Sequence, residues 1–325
     1  MAIVITGATG FVGGYLAEAL WAQGERDVVG LSRGTDWPAE WADLRGRVPL
    51  LCCDLTEPQG LRRALATLTP RVVYHLAGLT NVAQSLADPR AAWQVNLLGT
   101  LNLYDALAEL PVKPSVLHVG TGMIYGSTGS GVQAFDELAE LRPNSPYAAS
   151  KAAADLAAYS YLSRGLPIVR ARPFNHIGPR QSTQFAIAHF SHQIARIRLG
   201  LQEPTIKTGD LRPLRDLLDV RDVVAAYLAL MRHGTPGEVY NIGSGQAHSM
   251  QAVLERLQQL AGLQVNVLQE QARLRPADVT VSVANATKLR QSTGWAPRYS
   301  LDQTLQDMLA YFTQREQGQV QEEGL

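Results

Sequence analysis

The sequence predicts an α/β fold: a doubly wound parallel sheet joined to a smaller C-terminal α/β lobe. Three observations predict it. Short apolar segments alternate with helical stretches through the first half of the chain. Those segments are apolar throughout rather than at every second residue, as in strands covered on both faces. The alternation then weakens after Arg172, where Pro, Gly and polar residues crowd positions 173–184 and 203–215. A length of 325 residues fits two lobes, at about 150 residues each.

Ala2–Ile5 is a short apolar strand, followed by a glycine-punctuated turn and a helix from Phe11 to Gln23. Val28–Leu31 and Val48–Cys53 read as the next two strands, and Gly60–Leu68 as the helix leading to a fourth, Val72–Leu76. A long helix over Pro89–Leu110 precedes the strand Ser115–Val119. A helix over Pro146–Arg164 precedes the strand Pro167–Ala171. Right-handed crossovers make such a succession doubly wound. Val239–Ile242 reads as a late strand returning to the sheet, Met250–Leu260 and Leu301–Phe312 as amphipathic helices, and the polar end from Gly318 as frayed. The first lobe therefore takes residues 1–172 and is rejoined by about 215–245; residues 173–214 and 246–325 form the second.

Composition removes several classes. Apolar residues make up 46%, enough for a sizeable core, and 29 basic groups cancel 29 acidic ones. A neutral chain without basic runs is not an electrostatic nucleic-acid binder. The N-terminal apolar run meets Gly7 too soon for a signal peptide or a membrane span. Two adjacent cysteines, Cys52 and Cys53, neither staple a secreted scaffold nor offer zinc spacing, and no Cys/His/Asp cluster suggests a metal. A cytoplasmic, enzyme-sized globule is expected.

Thr6-Gly-Ala-Thr-Gly-Phe-Val-Gly13 places glycines at 7, 10 and 13 directly after the first strand. Glycine suits a tight turn, a close approach of backbone to a pyrophosphate, and packing of helix on strand. The helix that opens at Phe11 and Val12 offers free N–H groups and partial positive charge to that pyrophosphate. A dinucleotide is thus expected here. An acidic side chain at the end of the second strand would hold the adenosine ribose and repel a 2′-phosphate. Ser32 and Arg33 stand there instead, which favours NADP(H) while leaving NAD(H) open. Asp54 and Leu55 are candidates for the adenine, and Leu76-Ala77-Gly78 for backbone approach to the second ribose.

Ser145-Pro-Tyr-Ala-Ala-Ser-Lys151 begins a helix with a serine cap and proline in the first turn. Tyr147 and Lys151, four apart, share one helical face. A phenol with an ordinary pKa near 10 needs a neighbouring cation to exchange protons close to neutrality. Lysine occurs only at 113, 151, 207 and 288, so Lys151 is not one of many interchangeable cations. Thr121, just after the fifth strand, lies at the carboxyl edge where ligands gather and is a second hydrogen-bond donor for a substrate oxygen.

With these motifs on the page, the chain resembles the extended short-chain dehydrogenase/reductases acting on nucleotide sugars. The resemblance rests on Gly7/Gly10/Gly13, Asp54-Leu55, His75-Leu-Ala-Gly78, Asn96, Thr121, Tyr147 and Lys151. It implies a Rossmann lobe for the cofactor, a smaller lobe for a sugar nucleotide, cofactor roles for Asn96 and Pro173, and a homodimer built on the helices near 89–110 and 146–164. In this family dehydratases place acidic residues one and two positions after the catalytic Ser/Thr; here those positions are Gly122 and Met123. Neither moves a proton, which leaves plain redox chemistry at the sugar C4. The stretches Arg172–Pro179, Gln193–Gln202, Arg215–Asp222, Leu274–Asp278 and Thr293–Pro297 resemble reductases of GDP-4-keto-6-deoxy-D-mannose, although an acidic residue is usual there at the Met123 position. Arg196, Arg215 and Arg275 suit a diphosphate, Asp278 the ribose hydroxyls, and Asn175 the diphosphate or sugar. His75, His118 and His176 read as structural. Two rival readings stay open: a 4-epimerase holding NAD through turnover, and a non-catalytic dinucleotide-binding protein.

Overall fold

The computed structural model describes residues 1–127, 134–270 and 281–323. In chain order its first half runs β1 (Ile3–Thr6), α1 (Phe11–Ala22), β2 (Val28–Ser32), β3 (Leu50–Cys52), α2 (Pro58–Leu68), β4 (Val72–His75), α3 (Val82–Ala87), α4 (Pro89–Trp93), α5 (Gly99–Glu109), β5 (Ser115–Val119), α6 (Pro146–Leu162) and β6 (Ile168–Pro173). There follow β7 (Asn175–Ile177), α7 (Ala186–Arg198), β8 (Thr205–Thr208), β9 (Leu214–Asp219), α8 (Val220–His233), β10 (Val239–Ile242), β11 (Ala247–Ser249), α9 (Met250–Ala261), β12 (Asn266–Gln269), β13 (Val281–Ser282), α10 (Thr287–Thr293) and α11 (Leu301–Glu323).

Seven strands form a parallel sheet in the order β10-β6-β5-β4-β1-β2-β3. The winding direction reverses between β1 and β4, so a crevice opens at their carboxyl ends. Apolar residues of α1 (Leu16, Leu20), α8 (Val223, Leu230) and α10 (Leu289) fill one face of the sheet. Residues of α2 (Leu61, Leu65), α5 (Leu103, Leu107) and α6 (Ala158, Tyr161) fill the other. This double cover explains why the strands read as unbroken apolar runs.

A separate core unites α7, α9 and α11 with β8 and β9, beside a small sheet in which β9 pairs with β11, β13 and β7. Three boundaries depart from the sequence reading. β9 joins this small sheet rather than the large one; successive residues of a strand face opposite sides, so Leu217 enters the second core while Leu218 enters the first. α10, placed with the C-terminal lobe, packs through Leu289 on the first core together with Ala286 and Trp295. The end expected to fray continues as helix to Glu323. Gln and Glu are good helix formers, and Glu316, almost fully buried, binds His192 (2.8 Å) and Arg196 (2.5 Å) of α7. Among the described residues no helix is long and apolar enough to cross a membrane.

Candidate active site

The glycine turn leaves β1 with Gly7 at φ +69°, a conformation other residues rarely adopt. Gly10 caps α1 without any side-chain hydrogen bond, so the first N–H groups of the helix stay open toward the crevice. A Cβ on Gly13 would lie 2.3 Å from the Gly7 carbonyl oxygen; helix and turn are as close as backbone permits. The hydroxyls of Thr9 and Ser32 share a hydrogen bond of 3.0 Å, and Ser32 also accepts from the Gly34 amide at 3.2 Å. That contact fixes the end of β2 beside the turn, with Arg33 exposed next to it. Asp54 accepts from the amide and hydroxyl of Thr56, both at 2.8 Å. These bonds, chiefly the amide, with help from Arg33, hold its carboxyl below the usual range. Leu55 is buried in the core beneath. The uncapped helix start and the space that a Cβ would fill are what a bound pyrophosphate requires, so the residues present fit a dinucleotide.

The loop after β4 is held by a chain of polar contacts whose direction can be worked out. The Thr100 hydroxyl donates to the Asn96 carbonyl (2.6 Å), so it accepts from His75 Nε2–H (2.9 Å). His75 Nδ1 is then the acceptor for the Thr6 hydroxyl (2.8 Å), leaving Thr6 to accept from the Ala77 amide (3.1 Å). Burial pushes His75 far below its ordinary pKa, so it stays neutral. The structural reading of His75 thus has a mechanism: it ties Leu76-Ala77-Gly78 to β1. His118 binds the Tyr104 hydroxyl at 2.7 Å. His176 binds the Phe174 carbonyl and stacks on Phe11 with a centroid separation of 6.2 Å.

Asn96 sits in a π-helical turn, Gln94–Leu98, that joins α4 to α5. Its side-chain Oδ1 accepts from the Leu79 amide (2.7 Å), and its side-chain NH2 donates to the Leu79 carbonyl (3.2 Å) and the Ser150 hydroxyl (3.0 Å). Asn96 is therefore a clamp between the cofactor loop and α6, and the cofactor contact the resemblance implied would have to pass through that loop. Ser150 in turn donates to the Tyr147 carbonyl (2.9 Å), while the Tyr147 amide donates to Ser85 of α3 (3.2 Å). Ser85 and Ser150 carry no signal in the sequence that marks them.

At the start of α6 Ser145 caps the helix through the Ala148 amide (3.2 Å), and Pro146 occupies the first turn. This brings Tyr147, Lys151 and Thr121 together. The Thr121 oxygen accepts from the Met123 amide (3.2 Å), capping a short 3-10 turn, Gly122–Tyr125, and the Thr121 side chain lies near enough to the Tyr147 hydroxyl to act on its pKa. Burial raises the Tyr147 pKa and the Thr121 side chain pulls it partly back, so the phenol is protonated at neutral pH. Lys151 donates to the Val119 carbonyl at 2.5 Å, which leaves two ammonium hydrogens for other acceptors. Burial lowers it to about 8 against an opposing pull from Asp155. Gly122 is pressed against the Phe174 ring, where a Cβ would meet it at 2.6 Å. Met123 alone of that turn is partly exposed, and the first carboxylate after it in the chain is Asp136.

The buried ammonium has a consequence for stability. Its pKa in the fold, about 8, lies below the 10.5 of the unfolded chain. Folding therefore carries the full penalty below pH 8, relieved as pH rises toward 10.5. Lys151→Met is expected to abolish turnover yet raise the melting temperature at pH 7. The gain is at most about 3 kcal/mol, reduced by the lost carbonyl bond, and fades above pH 8. Melting curves from pH 6 to 10 check it; a variant that melts lower than the wild type at pH 7 contradicts it.

Pro173, expected at the cofactor, ends β6 buried and paired with Ile242 of β10; of the expected substrate residues, Asn175 is exposed on β7. Arg215 lies mid-sheet on β9, opposite His248 and Ser282. Arg275 and Asp278 fall outside the described residues. Arg196 lines a cavity of about 500 Å³ with Gln193 and Lys207. Its charge, however, is already paired with Glu316, and it also donates to the Leu201 carbonyl, which weakens its expected role as an anion ligand.

A tyrosine–lysine–threonine constellation at the carboxyl edge of such a sheet, beside a glycine cradle for a dinucleotide, defines the class of extended short-chain dehydrogenase/reductases. Comparison with known proteins narrows it. The chain belongs to the GDP-mannose 4,6 dehydratase family, whose profile matches residues 4–308. It is 36% identical over 314 residues to the GDP-6-deoxy-D-mannose reductase of Pseudomonas aeruginosa, covering 96% of this chain and 97% of that one. The solved structure of RMD from Pseudomonas aeruginosa complexed with NADPH aligns with TM-score 0.83 and 34% identity over 97% of this chain and 100% of that one. The UDP-glucose 4-epimerase of Thermus thermophilus, solved with NAD, aligns with TM-score 0.85 and 31% identity over 96% and 99%.

Proposed function

We propose that this protein reduces the C4 carbonyl of a GDP-4-keto-6-deoxyhexose with NAD(P)H, giving the GDP-6-deoxyhexose, GDP-D-rhamnose from the mannose-derived ketone. One observation carries this reading: a buried, protonated Tyr147 faces a turn in which Gly122 and Met123 stand where a second proton relay would be. Reduction needs a phenol that gives a proton; oxidation, the first half of 4-epimerisation, needs one that takes it. Burial leaves Tyr147 in its protonated form, the form from which the first begins.

When bound, NAD(P)H supplies the hydride that arrives at C4. Thr121 and Tyr147 hold the carbonyl oxygen, and Tyr147 passes its hydroxyl proton to the alkoxide that forms there. Lys151 stabilises the resulting phenolate and binds ribose hydroxyls through its two remaining hydrogens. Donors already in place at the nascent oxyanion are the main source of acceleration. Ser32 and Arg33 favour the 2′-phosphate of NADPH. Arg215, with Arg275 and Asp278, is assigned to the GDP moiety. We further assign the enzyme to the cytoplasm and to a homodimer formed through α4–α5 and α6, whose outer faces expose Trp93, Leu98, Leu156 and Tyr159.

Anaerobic incubation with freshly made GDP- and dTDP-4-keto-6-deoxy sugars, followed at the nicotinamide absorbance with each coenzyme, tests the proposal. Rapid decay with the GDP compound alone is expected, faster with NADPH. Interconversion of C4 epimers without loss of reduced coenzyme would identify an epimerase instead, and binding without turnover would leave a dinucleotide-binding protein.

A further inference from the structure

Beneath the catalytic face of α6 four charged side chains share one dry space. Asp155 is fully buried, and Arg170, Arg172 and Lys151 are 1%, 4% and 5% exposed. Asp155 receives Arg170 Nη1 at 3.0 Å and Arg172 through Nη2 at 2.7 Å and Nε at 3.2 Å. It follows Lys151 by four residues and so lies one helical turn beyond it on the same face. The same carboxylate reaches the Thr121 turn by another route. Arg172 Nη1 donates to the Tyr125 hydroxyl (2.8 Å), which donates to Asn241 Oδ1 (2.8 Å). A Cβ on Gly120, between the Val119 carbonyl that holds Lys151 and Thr121 itself, would lie 3.3 Å from Asp155 Oδ1. We propose that Asp155 is a positioning residue for proton transfer: it keeps Lys151 charged and, through Arg172 and Tyr125, holds the turn bearing Thr121 against Tyr147.

The charge count explains why one carboxylate matters so much. Three cations and one anion leave a surplus of two positive charges away from water, where each is costly. The other titratable groups facing Lys151 do not offset it. Tyr147 lies one turn earlier on α6, and burial keeps it protonated. His75 on β4 and His118 on β5 are buried and neutral. Tyr104 on α5 and Tyr227 on α8 are held protonated by burial. Arg170 and Arg172 on β6 add repulsion. Asp155 is the carboxylate that acts on Lys151 among the described residues.

This rests on the proton-transfer reading of Tyr147 and Lys151, but its test needs no sugar substrate. NADPH affinity is measured by fluorescence titration from pH 6 to 10 on the full-length protein. In the wild type affinity falls as Lys151 loses its proton, with a midpoint near 8. Asp155→Asn is expected to lower that midpoint by about one pH unit or more, the size of an opposite charge removed at close range. Arg170→Gln frees the carboxylate for Lys151 and is expected to raise it. The double variant, which restores the charge surplus, is expected to return toward the wild type. A wild-type midpoint in Asp155→Asn, or shifts of the same sign in both single variants, overturns the proposal. Should Asp155→Asn fail to fold, Arg170→Gln decides: a midpoint unchanged or lowered overturns it. A flat wild-type profile instead removes Lys151 from cofactor binding, and the proposal with it.

Discussion

Tyr147→Phe lowers turnover by on the order of 10²–10⁴, the usual cost of a lost general acid, while NADPH affinity stays within a few-fold of the wild type. The two readouts separate because the hydroxyl and the ring have different jobs. The ring is buried at the start of α6, with its backbone fixed by Ser85 and Ser150; phenylalanine keeps that packing. The hydroxyl is acted on by the Thr121 side chain and gives its proton to the substrate oxygen. Thr121 remains in the variant, held by the Met123 amide, so some oxyanion stabilisation persists and turnover does not vanish. Burial raises the Tyr147 pKa, so the wild-type phenol keeps its proton across the neutral range in the absence of ligand, and reduction needs no prior ionisation. Single-turnover decay of bound NADPH on mixing with the GDP-4-keto sugar gives the chemical step directly. A variant that reduces the ketone at a near-normal rate takes Tyr147 out of the acid role.

How far the fold and site were legible follows from which interactions are local. β10, Val239–Ile242, was visible as a strand because three of its four buried residues, Val239, Tyr240 and Ile242, are β-branched or aromatic. Ser145-Pro146 announced the start of α6 because a cap and a proline act within one turn. The glycine turn announced itself for the same reason. Contacts between distant residues left no such mark. Arg170 and Arg172 look like any alternating strand charges, and only the fold brings both to Asp155, 15 and 17 residues away. Arg196 read as a diphosphate ligand because its partner, Glu316, lies 120 residues on. That contact also explains why the polar tail remained helical. Asn96 was legible as important but not as a clamp, because the π-turn that aims it inward lies within a helix whose composition is ordinary. α10 was misplaced since a helix of seven residues, Thr287–Thr293, carries too little pattern to say which core receives Leu289.

The closeness of the glycine turn to α1 yields the second large effect, from Gly13→Ala. Alanine normally strengthens a helix by about 1 kcal/mol over glycine. At this position its Cβ would stand 2.3 Å from the Gly7 oxygen, 2.6 Å from the Ala8 oxygen and 2.8 Å from the Ala8 carbonyl carbon. All three are backbone atoms, so no side chain can rotate out of the way. Nor can the turn yield easily: the Gly7 amide is bonded to the Leu31 carbonyl on β2, and the Gly10 amide to the Gly7 carbonyl, each at 3.0 Å. The helix must back away from β1, which costs about 1–3 kcal/mol as overpacking and outweighs or cancels the gain in propensity. It also carries the open N–H groups at Phe11 and Val12 away from the pyrophosphate. Loss of even one charge-assisted hydrogen bond of about 1.5–3 kcal/mol weakens NADPH binding roughly tenfold to a hundredfold. Gly60→Ala is the matched control, since Gly60 lies inside α2, a Cβ there meets nothing within 4 Å, and its φ is not positive. That substitution should leave binding unchanged and stability equal or higher. If Gly13→Ala binds NADPH as tightly as Gly60→Ala, the turn is not where the pyrophosphate sits, and Ser32, Arg33 and Asp54 lose their assigned ligand with it.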